Sequence, residues 1–177
     1  MEPLKEYKIQ FSGLSDGIHQ YSYDIKDSFF ENFEHTIVSG GHLKVDLELD
    51  KRPTLLTLNF SFEGSLQTDC DRCAVTAPYP VEGEARLIIQ LTDGESDDDD
   101  LIYLPNDAFE YNIAQYLYET LALSLPLRVV HCEVSGDKSI CDQKVIDYLD
   151  ALSVPEPEEE PESDPRWDAL KGLSGDK

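Results

Sequence analysis

The sequence predicts an α+β fold: a mainly antiparallel β-sheet or partial barrel with a long hairpin, one main helix and an acidic C-terminal tail. Three observations carry that expectation. Leu43, Val45, Leu47 and Leu49 alternate strictly with Lys44, Asp46, Glu48 and Asp50, and Leu56, Leu58, Phe60 and Phe62 alternate with Thr57, Asn59 and Ser61 beyond a Lys51-Arg52-Pro53 turn. That period of two, repeated across a turn, is the pattern of a β-hairpin buried on one face. The period then switches to helical spacing over 109–125, and beyond residue 152 Pro and Glu dominate.

The elements follow in chain order. Tyr7-Lys8-Ile9-Gln10-Phe11 alternates as a half-buried strand. Ser15-Asp16-Gly17 signals a turn, and Tyr21, Tyr23 and Ile25 share one face of a second strand, so the two segments suit a hairpin. Asp27 is placed to cap a short helix through Phe33, with Phe29, Phe30 and Phe33 toward the core. Gly40-Gly41 precedes the long hairpin. Ala85, Leu87, Ile89 and Leu91 mark another strand, and Ile102-Tyr103-Leu104 a short one. Ile113, Tyr116, Leu117, Thr120 and Leu121 recur at helical spacing until Pro126 ends the run. Residues 1–152 make one domain, 153–163 an acidic Pro-rich linker, and 164–173 a short docking helix that starts at Asp164-Pro165 and carries Trp167 and Leu170.

Charge narrows the function classes. The chain of 177 residues has 14 Lys+Arg against 37 Asp+Glu, a net charge of −23. Residues 1–92 hold 8 basic and 15 acidic residues, net −7, and residues 93–177 hold 6 and 22, net −16. Two stretches dominate: Asp93, Glu95 and Asp97 to Asp100, which read as an exposed loop, and Glu156, Glu158, Glu159, Glu160 and Glu162 in the linker with Asp164 directly after it. Such a charge repels phosphate backbones and anionic lipid, which disfavours direct binding to naked RNA or to a membrane. Its electrostatic complement is a basic protein. No apolar segment follows Met1, and no run approaches the ~20 residues that span a bilayer, so the expected location is the cytoplasm.

Cysteines are the other signal. Cys70-Asp71-Arg72-Cys73 brings two thiols within reach of one tetrahedral ion, and His131-Cys132 with Cys141 offers an irregular second half. The candidate metal ligands are Cys70, Cys73, Cys132, Cys141 and His131, with zinc as the implied ion. Two alternatives stand beside it. Reduced thiols are often buried as small hydrophobes. A redox pair is the other, but it ordinarily sits at a helix N-terminus, whereas this pair follows a strand, between Asp69 and Asp71, whose charges would raise a thiol pKa. No phosphate-cradling loop, G-x-S-x-G or H-E-x-x-H motif occurs, and no enzymatic activity is expected.

Three segments together resemble the YceD family, named for large ribosomal RNA subunit accumulation. They are Cys70-Asp71-Arg72-Cys73; Leu121-Ala122-Leu123-Ser124-Leu125-Pro126-Leu127 followed by His131-Cys132-Glu133; and Asp164-Pro165-Arg166-Trp167-Asp168-Ala169-Leu170-Lys171-Gly172-Leu173. The resemblance covers roughly residues 40–173. It implies a bacterial cytoplasmic, non-enzymatic factor for 23S rRNA accumulation and large-subunit biogenesis. Many members carry a fuller second C-x-x-C-G pair, where this chain has Cys132 and Cys141 further apart. With the charge, the expected partner is a basic ribosomal protein or a large-subunit precursor. Without the family, the same cysteines fit a small zinc-binding interaction module unrelated to ribosomes.

Overall fold

The computed structural model describes residues 4–34, 37–93, 101–136 and 138–153. The strands are β1 (Lys8–Gln10), β2 (Gly17–Ile25), β3 (Gly40–Lys51), β4 (Leu55–Asp69), β5 (Thr76–Leu91), β6 (Ile102–Leu104) and β7 (Glu110–Asn112). The helices are α1 (Asp27–Phe30), α2 (Ala114–Leu123), α3 (His131–Ser135) and α4 (Gln143–Leu152). Strands β2-β3-β4-β5-β6 form one sheet in that order, and β1 pairs with β7 in a second, small one. The large sheet runs from edge to edge without closing into a barrel. All its pairings are antiparallel except β5 with β6.

The long hairpin forms in the register its alternation demands. Leu47 lies opposite Phe60, Val45 opposite Phe62 and Leu49 opposite Leu58, all on the buried face. A slip of one residue would turn every one of these side chains to water. The inner face is covered by Ile113, Ala114, Leu117 and Leu121 at and in α2, and by an aromatic cluster. In that cluster Tyr7 stacks on Tyr23 at 5.5 Å, Phe29 packs on Tyr7 and Phe30, and Phe33 stacks on Tyr118 at 4.2 Å. Each such buried side chain contributes about 1.5–3 kcal/mol of hydrophobic stabilisation.

Several local expectations change. The first strand does not form a hairpin with the second: Ile9 pairs with Tyr111 of β7 instead. Burial alternates over the whole of residues 7–11, and pairing with β7 leaves Tyr7, Ile9 and Phe11 in the core. Asp27 caps no helix. It lies inside α1, and its carboxylate accepts the Gly41 N–H at 2.8 Å, tying α1 to the start of β3. Helix α1 is correspondingly short, with turns continuing through Phe33. The helical run of 109–125 begins only at Ala114, because 110–112 is a strand and the Asn112 side chain accepts the Ala114 N–H at 2.9 Å. Strand β5 begins at Thr76, well before the alternation that starts at Ala85, because Ala77 to Pro80 continue the ladder opposite β4.

The chain divides into two compact units after Gln143. The first holds both sheets and α1 to α3. Helix α4 begins at the boundary, and none of its residues is buried. The linker and the Asp164–Leu173 segment lie outside the described residues.

Candidate metal centre

The site begins where the longest strand pair ends. Strands β4 and β5 run together to Asp69 and Thr76, where the Thr76 hydroxyl donates to the Asp69 carboxylate. Residues 70–75 then make a tight knuckle. The Cys70 N–H donates to Val75 O at 3.0 Å, and the Ala74 N–H donates to Cys70 O at 2.8 Å. Ala74 takes the left-handed conformation, φ +56°, that turns the chain back into β5. Such a turn is usually made by glycine, which has no Cβ to crowd the carbonyl.

The second half comes from the segment after α2. Asp71 clamps it to the knuckle from both sides: its N–H donates to Val129 O at 2.8 Å, and its carboxylate accepts the Val129 N–H at 2.6 Å. Val129 and Val130 are buried, and α3 starts directly after them. Gly136 (φ +70°) ends α3, and a 3₁₀ turn over Lys138–Ile140 delivers Cys141 back to the knuckle.

The outcome is a cluster of buried thiols. The sulfurs of Cys70, Cys73 and Cys141 all lie within 4.8 Å of one another, with the residues 3%, 6% and 6% exposed. The half-buried Cys132 thiol adjoins Cys141, outside the set of three mutually close sulfurs. His131 does not aim its imidazole at the sulfurs. It is buried, its Nε2 lies 2.9 Å from Thr68 O, and its ring packs edge-on against Tyr79 at 6.1 Å. That Nε2 donates its proton to the carbonyl and thereby pins α3 to the end of β4.

The electrostatics suit a cation. Burial pushes the Cys70 thiol up, but the backbone N–H groups of Arg72, Cys73 and His131 and the Cys73 thiol all point at its sulfur and bring it from 9.0 to about 7. The net shift is downward despite the flanking carboxylates of Asp69, which accepts from the Thr76 hydroxyl, and Asp71, which accepts from the Val129 N–H. Hydrogen bonding with Cys132, then burial, then Cys73 and the Cys70 charge push Cys141 up to about 12. One thiolate thus forms readily and suppresses its neighbours. A divalent ion reverses this by displacing the thiol protons. Zinc bonded to sulfur at about 2.3 Å in a tetrahedron needs sulfurs about 3.8 Å apart, a spacing this cluster can supply. Bound there, zinc would serve as a structural cross-link held by thiolates.

The family model for the large ribosomal RNA subunit accumulation protein YceD matches residues 58–174, spanning β4, both halves of the thiol cluster and the terminal Trp167 segment. The chain belongs to the YceD family. No curated protein and no solved structure matches it. Within this YceD chain, sequence spacing pointed to the four thiols. It could not show the Asp71 clamp on Val129, the His131–Thr68 anchor or the left-handed Ala74. Among the described residues, no helix is long and apolar enough to cross a membrane.

Proposed function

We propose that this protein is a non-enzymatic factor in large ribosomal subunit biogenesis, that it promotes 23S rRNA accumulation by engaging a basic ribosomal protein, and that a structural zinc held by Cys70, Cys73, Cys132 and Cys141 secures its fold. The single observation that supports the role is the family match, since the family is named for accumulation of large-subunit rRNA. The partner class rests on the net charge of −23, which repels RNA and attracts basic protein. The zinc rests on three buried sulfurs within 4.8 Å of one another, with Cys132 beside them.

The test of the role is sedimentation of cell extract on a sucrose gradient, with zinc assayed on the same purified protein. Co-migration with large-subunit precursors, and loss of 23S rRNA on depletion, are expected. Unchanged rRNA and subunit levels after depletion would instead favour a zinc-binding interaction module with a partner outside the ribosome. Recovery of naked rRNA with undiminished affinity after ribosomal proteins are stripped away would overturn the basic-partner reading.

Cobalt substitution identifies the fourth ligand. Four thiolates give a thiolate-to-cobalt charge-transfer band that Cys132→Ser reduces and His131→Asn leaves at full intensity. The reverse pattern would assign His131 to the metal.

A further inference from the structure

The outer face of the large sheet carries a second feature. Strands β2 to β5 present three successive rungs of polar side chains to solvent: Gln20, Glu48, Asn59 and Arg86; then Ser22, Asp46, Ser61 and Glu84; then Asp24, Lys44, Glu63 and Glu82. Six carboxylates thus share this surface with Lys44 and Arg86; Lys44 is bound to Asp46 at 2.9 Å, and Asp24 is bound to Lys26 and to His42, each at 2.9 Å, which leaves Glu48, Glu63, Glu82 and Glu84 as the acids in excess. The first two rungs line a groove of about 880 Å³. Its floor is low because Ser22, Ser61 and Asn59 are short, while Glu48, Glu84 and Arg86 rise around it. Among the described residues, Glu48 and Glu84 form no ion pair.

One detail of the register sets this face apart from an ordinary solvated one. Glu63 and Glu82 stand directly opposite each other across β4 and β5. Like charges in facing positions destabilise a sheet, and natural surfaces usually alternate signs to avoid that. Here the acids are gathered on one face beside a groove.

We propose that this groove is a docking surface for an extended Lys/Arg-rich protein segment. The charge selects the occupant. A second copy would bring the same carboxylates, the chain's own linker adds five more acids, and nucleic acid brings phosphates, so each is repelled. A basic segment relieves the Glu63–Glu82 opposition and pairs with Glu48 and Glu84, while Ser22, Asn59 and Ser61 offer hydrogen bonds to its backbone. This rests on the basic-partner reading above and places the contact on the folded sheet.

The experiment uses the full chain and a fluorescent twelve-residue Arg-Ser repeat peptide at low salt. Glu48→Gln with Glu84→Gln is expected to weaken binding roughly five- to tenfold, the worth of two exposed ion pairs. Arg86→Gln is expected to tighten it about twofold, a gain that mere damage to the fold would not produce. Replacing Asp97 to Asp100 by Asn should matter less than the double substitution. Amide shifts in the unsubstituted protein, followed by NMR as peptide is added, should centre on Asn59, Ser61 and Arg86. Full affinity in the double variant, or shifts centred elsewhere, overturns the groove but leaves the basic-partner reading standing. Failure of every form to bind the peptide overturns both. Equal binding of a single-stranded RNA oligomer at this face overturns the choice of occupant.

Discussion

Ala74 holds φ +56° at the turn of the Cys70–Cys73 knuckle. An alanine there pays for its Cβ against the neighbouring carbonyl, a cost of about 1–2 kcal/mol that glycine avoids and partly returns through its freer unfolded chain. Ala74→Gly is therefore expected to raise stability by about 0.5–1 kcal/mol, read as an increase in the urea midpoint. Gly64 poses the opposite case. At φ +153°, a Cβ would lie 2.7 Å from the Leu43 Cα and closer still to the His42 carbonyl oxygen, in the middle of the β3–β4 ladder. Gly64→Ala should cost at least ~2 kcal/mol, because neither backbone atom can move without breaking the register. A variant that melts like the parent would show that the ladder tolerates a bulge there. Neither effect is legible in the sequence, since a lone Ala or Gly does not announce its φ.

Tyr23 adds a pH dependence at the same scale. Burial, then the nearby Tyr21, push its hydroxyl up from 10.0 to about 12. The folded state therefore favours the neutral phenol. Its contribution is fully present below pH 10 and is lost as pH rises from about 10 to 12. Alkaline unfolding should begin in that window, and Tyr23→Phe should move its onset upward. An onset unmoved by the substitution would place the alkaline sensitivity on another group.

Among the elements, the β4–β5 hairpin and the segment 127–141 depend on each other. The hairpin presents Cys70 and Cys73 on its end, and Asp71 holds Val129 by two hydrogen bonds. With α3 anchored through His131 to Thr68, the chain is set to return Cys141 to the sulfurs. Asp71→Ala removes the acceptor of the Val129 N–H while leaving every thiol in place. Loss of such an outer contact typically lowers metal affinity 10- to 100-fold, and a competition titration with a chromophoric chelator should read that drop. An unchanged affinity would mean that the thiols alone set the geometry.

The strands of the long hairpin were readable because strict alternation has one low-energy solution, a sheet with one wet and one dry face. The strand at 8–10 was readable as a strand, but its partner was not. Five alternating residues carry no address, and the choice of β7 over β2 is made by where Tyr7, Ile9 and Phe11 find a core. Helix α4 was not predicted, although Val145, Ile146, Leu149 and Leu152 recur at helical spacing behind Asp142; none of its residues is buried in the structure.

For the whole molecule, the thiol cluster joins residues about seventy positions apart in sequence, so metal binding and folding are one equilibrium. Chelation is expected to lower the melting temperature of the intact chain, and Cys70→Ser and Cys73→Ser should each lower melting temperature and zinc content together. Well under one zinc per chain, with a melting point indifferent to chelator, would remove the structural ion. The net charge of −23 belongs to this scale too. In the sequence it is concentrated in two acidic stretches, but Asp93 in the first is bound to Asn106 at 2.7 Å rather than free in solvent. The folded sheet gathers a further set of acids from four separate strands.

By itself the sequence determined the α+β class, the registered hairpin, the excess of negative charge and the four thiols, because periodicity, composition and residue chemistry are local properties. Only the tertiary structure decided that Cys141 reaches the knuckle while the His131 imidazole turns to Thr68, and that acids from β2 to β5 share one face of the sheet, with Asp46, Glu48 and Glu84 lining its groove. Those outcomes depend on which strands become neighbours and where a buried imidazole finds a hydrogen-bond partner, and such contacts between distant residues exist only once the core has closed.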